Sequence, residues 1–223
     1  MLASRALARE FFGTTLKGNA PMLTLRSSTT SPFGRKVKVA ALVTGHSDTF
    51  KIVTADTMAA DDPLRRDNPL GKIPCLILPD GTALYDSRVI IEWLDHDAGG
   101  GKVLPADWPK RVAALKLQAL ADGIMDAAIL MLYEGRFRVA EKHEARWIDH
   151  QRGKVERGLA ALEADPPVGS ATPDVGTIAV ACMLDWMDFR FSTLAGGQYP
   201  KLAAFLEAMN KMMPGFSKTK PHI

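Results

Sequence analysis

The chain has 223 residues, 47% of them hydrophobic and 24% charged, with a formal net charge of +3. That length predicts one or two domains with a sizeable core, in the composition range of an ordinary soluble globular protein. The charge is small and evenly mixed, which excludes a nucleic-acid surface; no apolar run is long enough for a membrane span, and the five histidines show no metal-ligand spacing.

Residues 1–21 set Arg5, Arg9 and Lys17 against Glu10 and interleave Leu2, Leu7, Phe11 and Phe12. Their flavour is that of a mitochondrial transit peptide, and the competing reading is a translated extension ahead of Met22. Met22–Leu25 reads as a first strand, followed by a polar loop, Ser27–Ser31. Pro32 then opens a helix at a position that proline favours, and that helix ends near Gly45. A second strand is predicted over Phe50–Val53, then a short loose helix within residues 54–67. Asn68-Pro69-Leu70-Gly71 is a turn. The apolar run Ile73–Leu78 begins at a proline, as a strand can. Pro79-Asp80-Gly81 has hairpin-turn chemistry, Thr82–Tyr85 makes a second short strand, and Asp86-Ser87 opens a helix with Val89, Ile90, Trp93 and Leu94 on one face.

Gly99-Gly100-Gly101 with Pro105 signals a linker, and beyond it the strand pattern stops. Helices are predicted over Trp108–Val139, Glu141–Ala164, residues 174–190 and Tyr199–Met212, with a loose tail after Pro214. The segment 174–190 is apolar nearly all round, as a buried helix is. The fold class is therefore α/β plus all-α. Cys75 and Cys182 lie far apart in distinct elements, which argues against a disulfide framework and fits a reducing compartment such as the cytoplasm.

The ordered set Asn68-Pro69-Leu70-Gly71-Lys72-Ile73-Pro74, hairpin, then Asp86-Ser87 at a helix start resembles the glutathione-binding half of the glutathione S-transferase family. The resemblance covers about residues 22–212; its motifs are specific in the first half and suggestive in the second. Ala121–Ala127 and Trp186–Phe191 resemble a bacterial YibF-like subgroup. The resemblance implies a thioredoxin-like domain over 22–98 with a cis Pro74, followed by an all-α helical bundle over 107–223. Family members begin near Met22, which favours the translated-extension reading of residues 1–21. One departure stands out. The family opens its buried helix with Ser/Thr-x-x-Asp, whereas here the order is reversed, Asp174 to Thr177, leaving Asp174 as cap and Thr177 as a weaker return partner.

By the same resemblance, glutathione is the co-substrate and no metal is needed. The Ile73 backbone would pair with the cysteinyl backbone of the tripeptide beside Pro74. Asp86 and Ser87 would hold the γ-glutamyl end, and Lys72 would face the glycine carboxylate. The chemistry is apt: a helix N-terminus suits a carboxylate, an Asp suits the ammonium, and a lysine suits the far carboxylate. The serine-type members carry their activating hydroxyl at the position of Ser31, with Thr29, two residues earlier, as the alternative; each also reads as simple cap or loop chemistry. With no cysteine at position 31, thiol-transfer chemistry is not favoured, and Cys75 and Cys182 read as core. Phe33 is one wall for an electrophile. On the long helix Asp122, Asp126, Ile129 and Tyr133 fall on one face, with Met125 and Leu132 beside them, a pattern that equally suits a bundle core or a dimer interface. The implied activity is conjugation of glutathione to small hydrophobic electrophiles by a homodimer, with no nucleic-acid or membrane partner. The alternatives are a non-catalytic glutathione-binding or protein-interaction module, and a glutathione-dependent isomerase or reductase.

Overall fold

Strand β1 (Leu23–Ser27) alternates buried Leu23, Leu25 and Ser27 with half-buried Thr24 and Arg26, the period of two that a strand imposes. It lies at the centre of a four-stranded sheet of order β2-β1-β3-β4 in a computed structural model that describes residues 22–222. The readings made for residues 1–21 lie outside the described residues. β2 (Phe50–Thr54) runs parallel to β1, β3 (Cys75–Ile77) antiparallel, and β4 (Ala83–Leu84) closes a hairpin with β3. Leu25 stands opposite Ile52 on one side and Leu76 on the other.

Helix α1 (Pro32–Thr44) follows β1, and Gly45 ends it at φ 82°, where a left-handed residue lets its N–H bond back to Ala41. The short helix α2 (Leu64–Asp67) precedes the Asn68 turn, and α3 (Ser87–Asp97) follows β4. Leu23, Leu25 and Leu76 share a core with Val37, Ala40 and Ala41 of α1 and with Ile90, Ile91 and Leu94 of α3. Cys75, with Leu64 and Ala55, forms a second cluster, because neighbouring residues of β3 point to opposite faces. On α3 the predicted face is shifted: Val89 is exposed and Ile91 is buried in its stead.

The end of the glycine linker is held by one side chain. Asp95, buried near the end of α3, accepts the backbone N–H groups of Gly101, Lys102, Val103 and Leu104 at 2.7–3.2 Å. Gly99, Gly100 and Gly101 all take positive φ, 94°, 80° and 74°, the region that glycine enters without steric cost.

Beyond it stand α4 (Trp108–Phe137), α5 (Ala145–Ala164), α6 (Val175–Phe191) and α7 (Pro200–Met212). Helix α5 begins at Ala145, four residues later than predicted. Residues 140–142 form a separate 3₁₀ turn, Glu144 caps α5, and the Glu144 N–H is taken by the Glu134 carboxylate at 2.9 Å. Val175 through Met187 of α6 are all buried, as its uniform apolarity predicts. Asp174 does cap this helix, accepting the Thr177 N–H at 2.8 Å, and Thr177 returns no side-chain bond. Gly176 allows α6 to touch α4: an added Cβ would stand 2.6 Å from the Ala114 carbonyl oxygen. The tail is not loose. Phe216 is fully buried, its carbonyl accepts from Arg35 at 3.3 Å, its ring lies 4.3 Å from the Arg35 guanidinium, and Thr219 Oγ1 accepts from Arg35 Nε. Among the described residues no helix is long and apolar enough to cross a membrane.

Candidate active site

A cleft of about 1270 Å³ runs between the sheet-bearing and helical halves. The first half supplies the β1–α1 loop with the start of α1, the residues following β2, and Gly71, Lys72 and Ile73 ahead of β3. The second half supplies the C-terminal part of α4 from Asp126 onward, with Trp186 and Arg190 of α6.

Ser31 ends the β1–α1 loop in an extended conformation (φ −79°, ψ 118°) and caps α1. Its Oγ accepts the Gly34 N–H at 3.0 Å, and its carbonyl accepts the Arg35 N–H at 2.9 Å. The hydroxyl hydrogen has no acceptor among the described residues, so the same oxygen that caps the helix can donate into the cleft. Thr29 is exposed and forms no part of the wall, while Ser28 and Thr30 do.

The other lip on the sheet-domain side is built by Asn68, which is buried. Its Nδ2 donates to the Lys72 carbonyl at 2.8 Å, its Oδ1 accepts from Leu70 N–H, and its carbonyl accepts from Gly71 N–H, which Gly71 permits at φ 59°. This clasp presents Lys72 and Ile73 to the cleft. The Ile73–Pro74 peptide is cis, as the motif implies, and Pro74 itself is buried behind the lip. Asp86 caps α3 by accepting the Arg88 N–H at 2.9 Å, and Ser87 beside it is buried; neither lines the cleft.

Of the face predicted on α4, Asp126, Ile129 and Tyr133 line the cleft together with Phe33 and Leu132. Met125 is core. Asp122 is not a wall residue: it is 1% exposed and sits beneath the site, with Lys36 Nζ of α1 at 2.6 and 2.8 Å from its two oxygens and Arg88 Nε of α3 at 3.0 Å. The reason is electrostatic, since Lys36 reaches across from α1 and sets a fully buried ammonium against the carboxylate. Burial pushes the Lys36 ammonium below its ordinary range, opposed by the attraction and hydrogen bonding of Asp122. One turn on, burial and then the Asp122 charge push the Asp126 carboxyl up, against the pull of Arg88, Lys72 and Lys36.

Lys36, Asn68 and Arg88 were legible in the sequence only as a helix residue, a turn residue and a charge. Nothing in the spacing links Lys36 to Asp122, 86 positions away.

Both cysteines are buried, and burial pushes each thiol up to about 11. At pH 8 roughly one thiolate in a thousand is expected, behind a closed core. A disulfide reagent should therefore label neither cysteine in the native protein and both in guanidinium. Rapid labelling of one native thiol would contradict the buried placement.

Family models match both halves of the chain: the glutathione S-transferase N-terminal domain over residues 30–97 and the C-terminal domain over 145–208. An uncharacterized GST-like protein, YibF of Escherichia coli K12, is 34% identical over 169 residues, 74% of this chain and 82% of the relative. This chain belongs to the glutathione S-transferase family. Among solved members, a glutathione S-transferase from Methylobacillus flagellatus KT with glutathione bound is 38% identical, superposes with a TM-score of 0.81, and is matched over 90% of this chain and all of the other. A glutathione transferase family member from Pseudomonas fluorescens Pf-5, also with bound glutathione, is 39% identical over the same shares, with a TM-score of 0.80. The family's architecture, a thioredoxin-like sheet domain and a helical domain, is the one described above.

Proposed function

We propose that the protein is a glutathione transferase that binds glutathione along the lip of its thioredoxin-like domain and activates it as a thiolate. The observation that carries this reading is that Ser31 and the Lys72–Ile73 lip line one cleft, with the Ser31 hydroxyl hydrogen unclaimed among the described residues. The glutathione bound in the two similar bacterial structures supports it.

In this reading the Ile73 backbone, ahead of the cis Pro74, pairs with the cysteinyl unit, and Lys72 meets the glycine carboxylate. Asp86 and Ser87 at the start of α3, outside the cleft wall itself, receive the γ-glutamyl end where glutathione runs beyond the cleft along the sheet domain. Ser31 donates to the sulfur, and the N-terminus of α1 adds partial positive charge. A free thiol titrates near ~8.5, and each unit of lowering is worth about 1.4 kcal/mol. The thiolate sulfur then attacks an electrophilic carbon held by Phe33, Ile129 and Tyr133. A C–S bond forms, the leaving group departs with its bonding pair, and the thiol proton has gone to solvent.

The division at 22–98 and 107–223, a cytoplasmic location and a homodimer belong to the same proposal. The exposed apolar residues Val89, Trp108, Val112 and Leu115 offer a face for the dimer.

Titration with glutathione, followed by the ultraviolet band of the thiolate across pH, tests the reading. The expected result is a bound thiolate well below the titration of the free thiol. Binding without thiolate would favour the non-catalytic module, and no binding would remove the site assignment.

A further inference from the structure

The cleft wall carries two exposed arginines. Arg136 of α4 and Arg190 of α6 both line it, and neither makes an ion pair or hydrogen bond among the described residues. Other arginines at this junction behave differently: Arg35 is paired with Asp185, Arg88 with Asp122 and Arg138 with Glu134.

The placement repeats on two helices. Arg136 follows Tyr133 by three positions and Arg190 follows Trp186 by four, so on each helix a cleft-lining aromatic is succeeded, one turn on, by a guanidinium. Arg136 lies 5.8 Å from the centre of the Tyr133 ring, and Arg190 lies 4.7 Å from that of Phe189. Both also stand near helix C-termini, where a cation complements the helix dipole. That accounts for their charge but not for their convergence on one cleft. Along α4, Ile129 and Arg136 are seven residues apart, roughly 10 Å at 1.5 Å per residue. The span accommodates one aromatic ring between an attacked carbon beside Phe33 and a terminal anionic group.

Resting on the glutathione reading above, we infer that the electrophile is an anionic aromatic compound, its ring held by Phe33, Ile129 and Tyr133 and its carboxylate received by Arg136 and Arg190. A planar guanidinium matches a carboxylate in a bidentate manner, and two of them discriminate an acid from its neutral analogue. The reaction keeps its balance: sulfur bonds to the halogen-bearing benzylic carbon, halide leaves with the C–halogen pair, and the carboxylate is untouched.

The test uses two product analogues, S-benzylglutathione and its para-carboxy derivative, titrated calorimetrically against the wild type and Arg136→Gln/Arg190→Gln, with glutathione as a third ligand. The wild type should bind the carboxylated analogue roughly tenfold more tightly than the neutral one. High salt should shrink that preference, and the double variant should abolish it while still binding S-benzylglutathione. Retained binding of the neutral analogue also shows that the variant is folded. Equal affinity of the wild type for the two analogues, with glutathione bound, would overturn the inference and leave the glutathione reading intact. No binding of glutathione itself would overturn both. A preference that survives in the double variant would overturn the assignment to these arginines.

Discussion

Ser31→Ala is expected to lower kcat/KM for glutathione with a chlorodinitrobenzene about a hundredfold, the scale on which one hydrogen-bond donor to a developing or resident anion is felt. Affinity for glutathione should persist, because the lip at Lys72 and Ile73 is untouched. The titration of bound thiol should move up towards that of free glutathione. The same substitution removes the cap on Gly34 N–H, which costs about 1 kcal/mol of stability. Two further variants separate these effects. Ser31→Asp restores an acceptor for the cap while placing a negative charge against the sulfur, so stability should recover and turnover should not. Ser31→Thr keeps both cap and hydroxyl and should retain activity. Unchanged turnover in Ser31→Ala would transfer the role to another hydroxyl of the loop, with Ser28 and Thr30, which line the cleft, the first to substitute.

The largest expected loss of stability lies beneath the site. Asp122→Leu leaves Lys36 charged and fully buried with no carboxylate at its ammonium, and should cost about 3–5 kcal/mol. Lys36→Met should cost less, because Arg88 still pairs with Asp122 from a more exposed position. The double variant should recover most of the loss, since apolar side chains of similar volume replace a desolvated pair. Urea unfolding followed by tryptophan fluorescence measures all three, and simple addition of the single losses would contradict a coupled pair. The pH response carries its own sign. Burial lowers the folded Lys36 below the ordinary 10.5, so between the two values the unfolded chain binds more protons and stability rises with pH. In Asp122→Leu the opposing attraction is gone, so the rise contributed by Lys36 should begin at lower pH; in Lys36→Met that contribution should be absent, while Lys38, lowered by burial in the same sense, keeps its own.

Most elements of this fold could be read directly from the sequence because each has a local cause. Pro32 and Gly45 bracket α1, the glycines at 99–101 mark the linker, and the unbroken apolarity of α6 reports its burial. The lip was equally legible, since Asn68, Gly71 and Pro74 act within seven positions of one another. What escaped was set by packing between distant segments. Asp122 shares a helical stripe with Asp126 and Ile129, yet a lysine from α1 draws it under the site. Val89 and Ile91 exchange places because the angle at which α3 meets α1 is a tertiary property. The tail after Pro214 has no periodic pattern, and its docking depends on Arg35, far away in sequence. Arg136 and Arg190 look like ordinary helix-end charges until two helices bring them to one cleft.

Arg35 and Lys36 are consecutive, and each is bound across the domain junction, the first to Asp185 and the tail, the second to Asp122. The helix whose first turn holds Ser31 is thereby bolted to both α6 and α4. Rocking one domain on the other would have to break two buried charge contacts at once. On the proposed reading, the gauge between Ser31 and the Tyr133 wall is set by the scaffold, so accommodation of different electrophiles falls to side-chain rotation at the rim, not to a hinge.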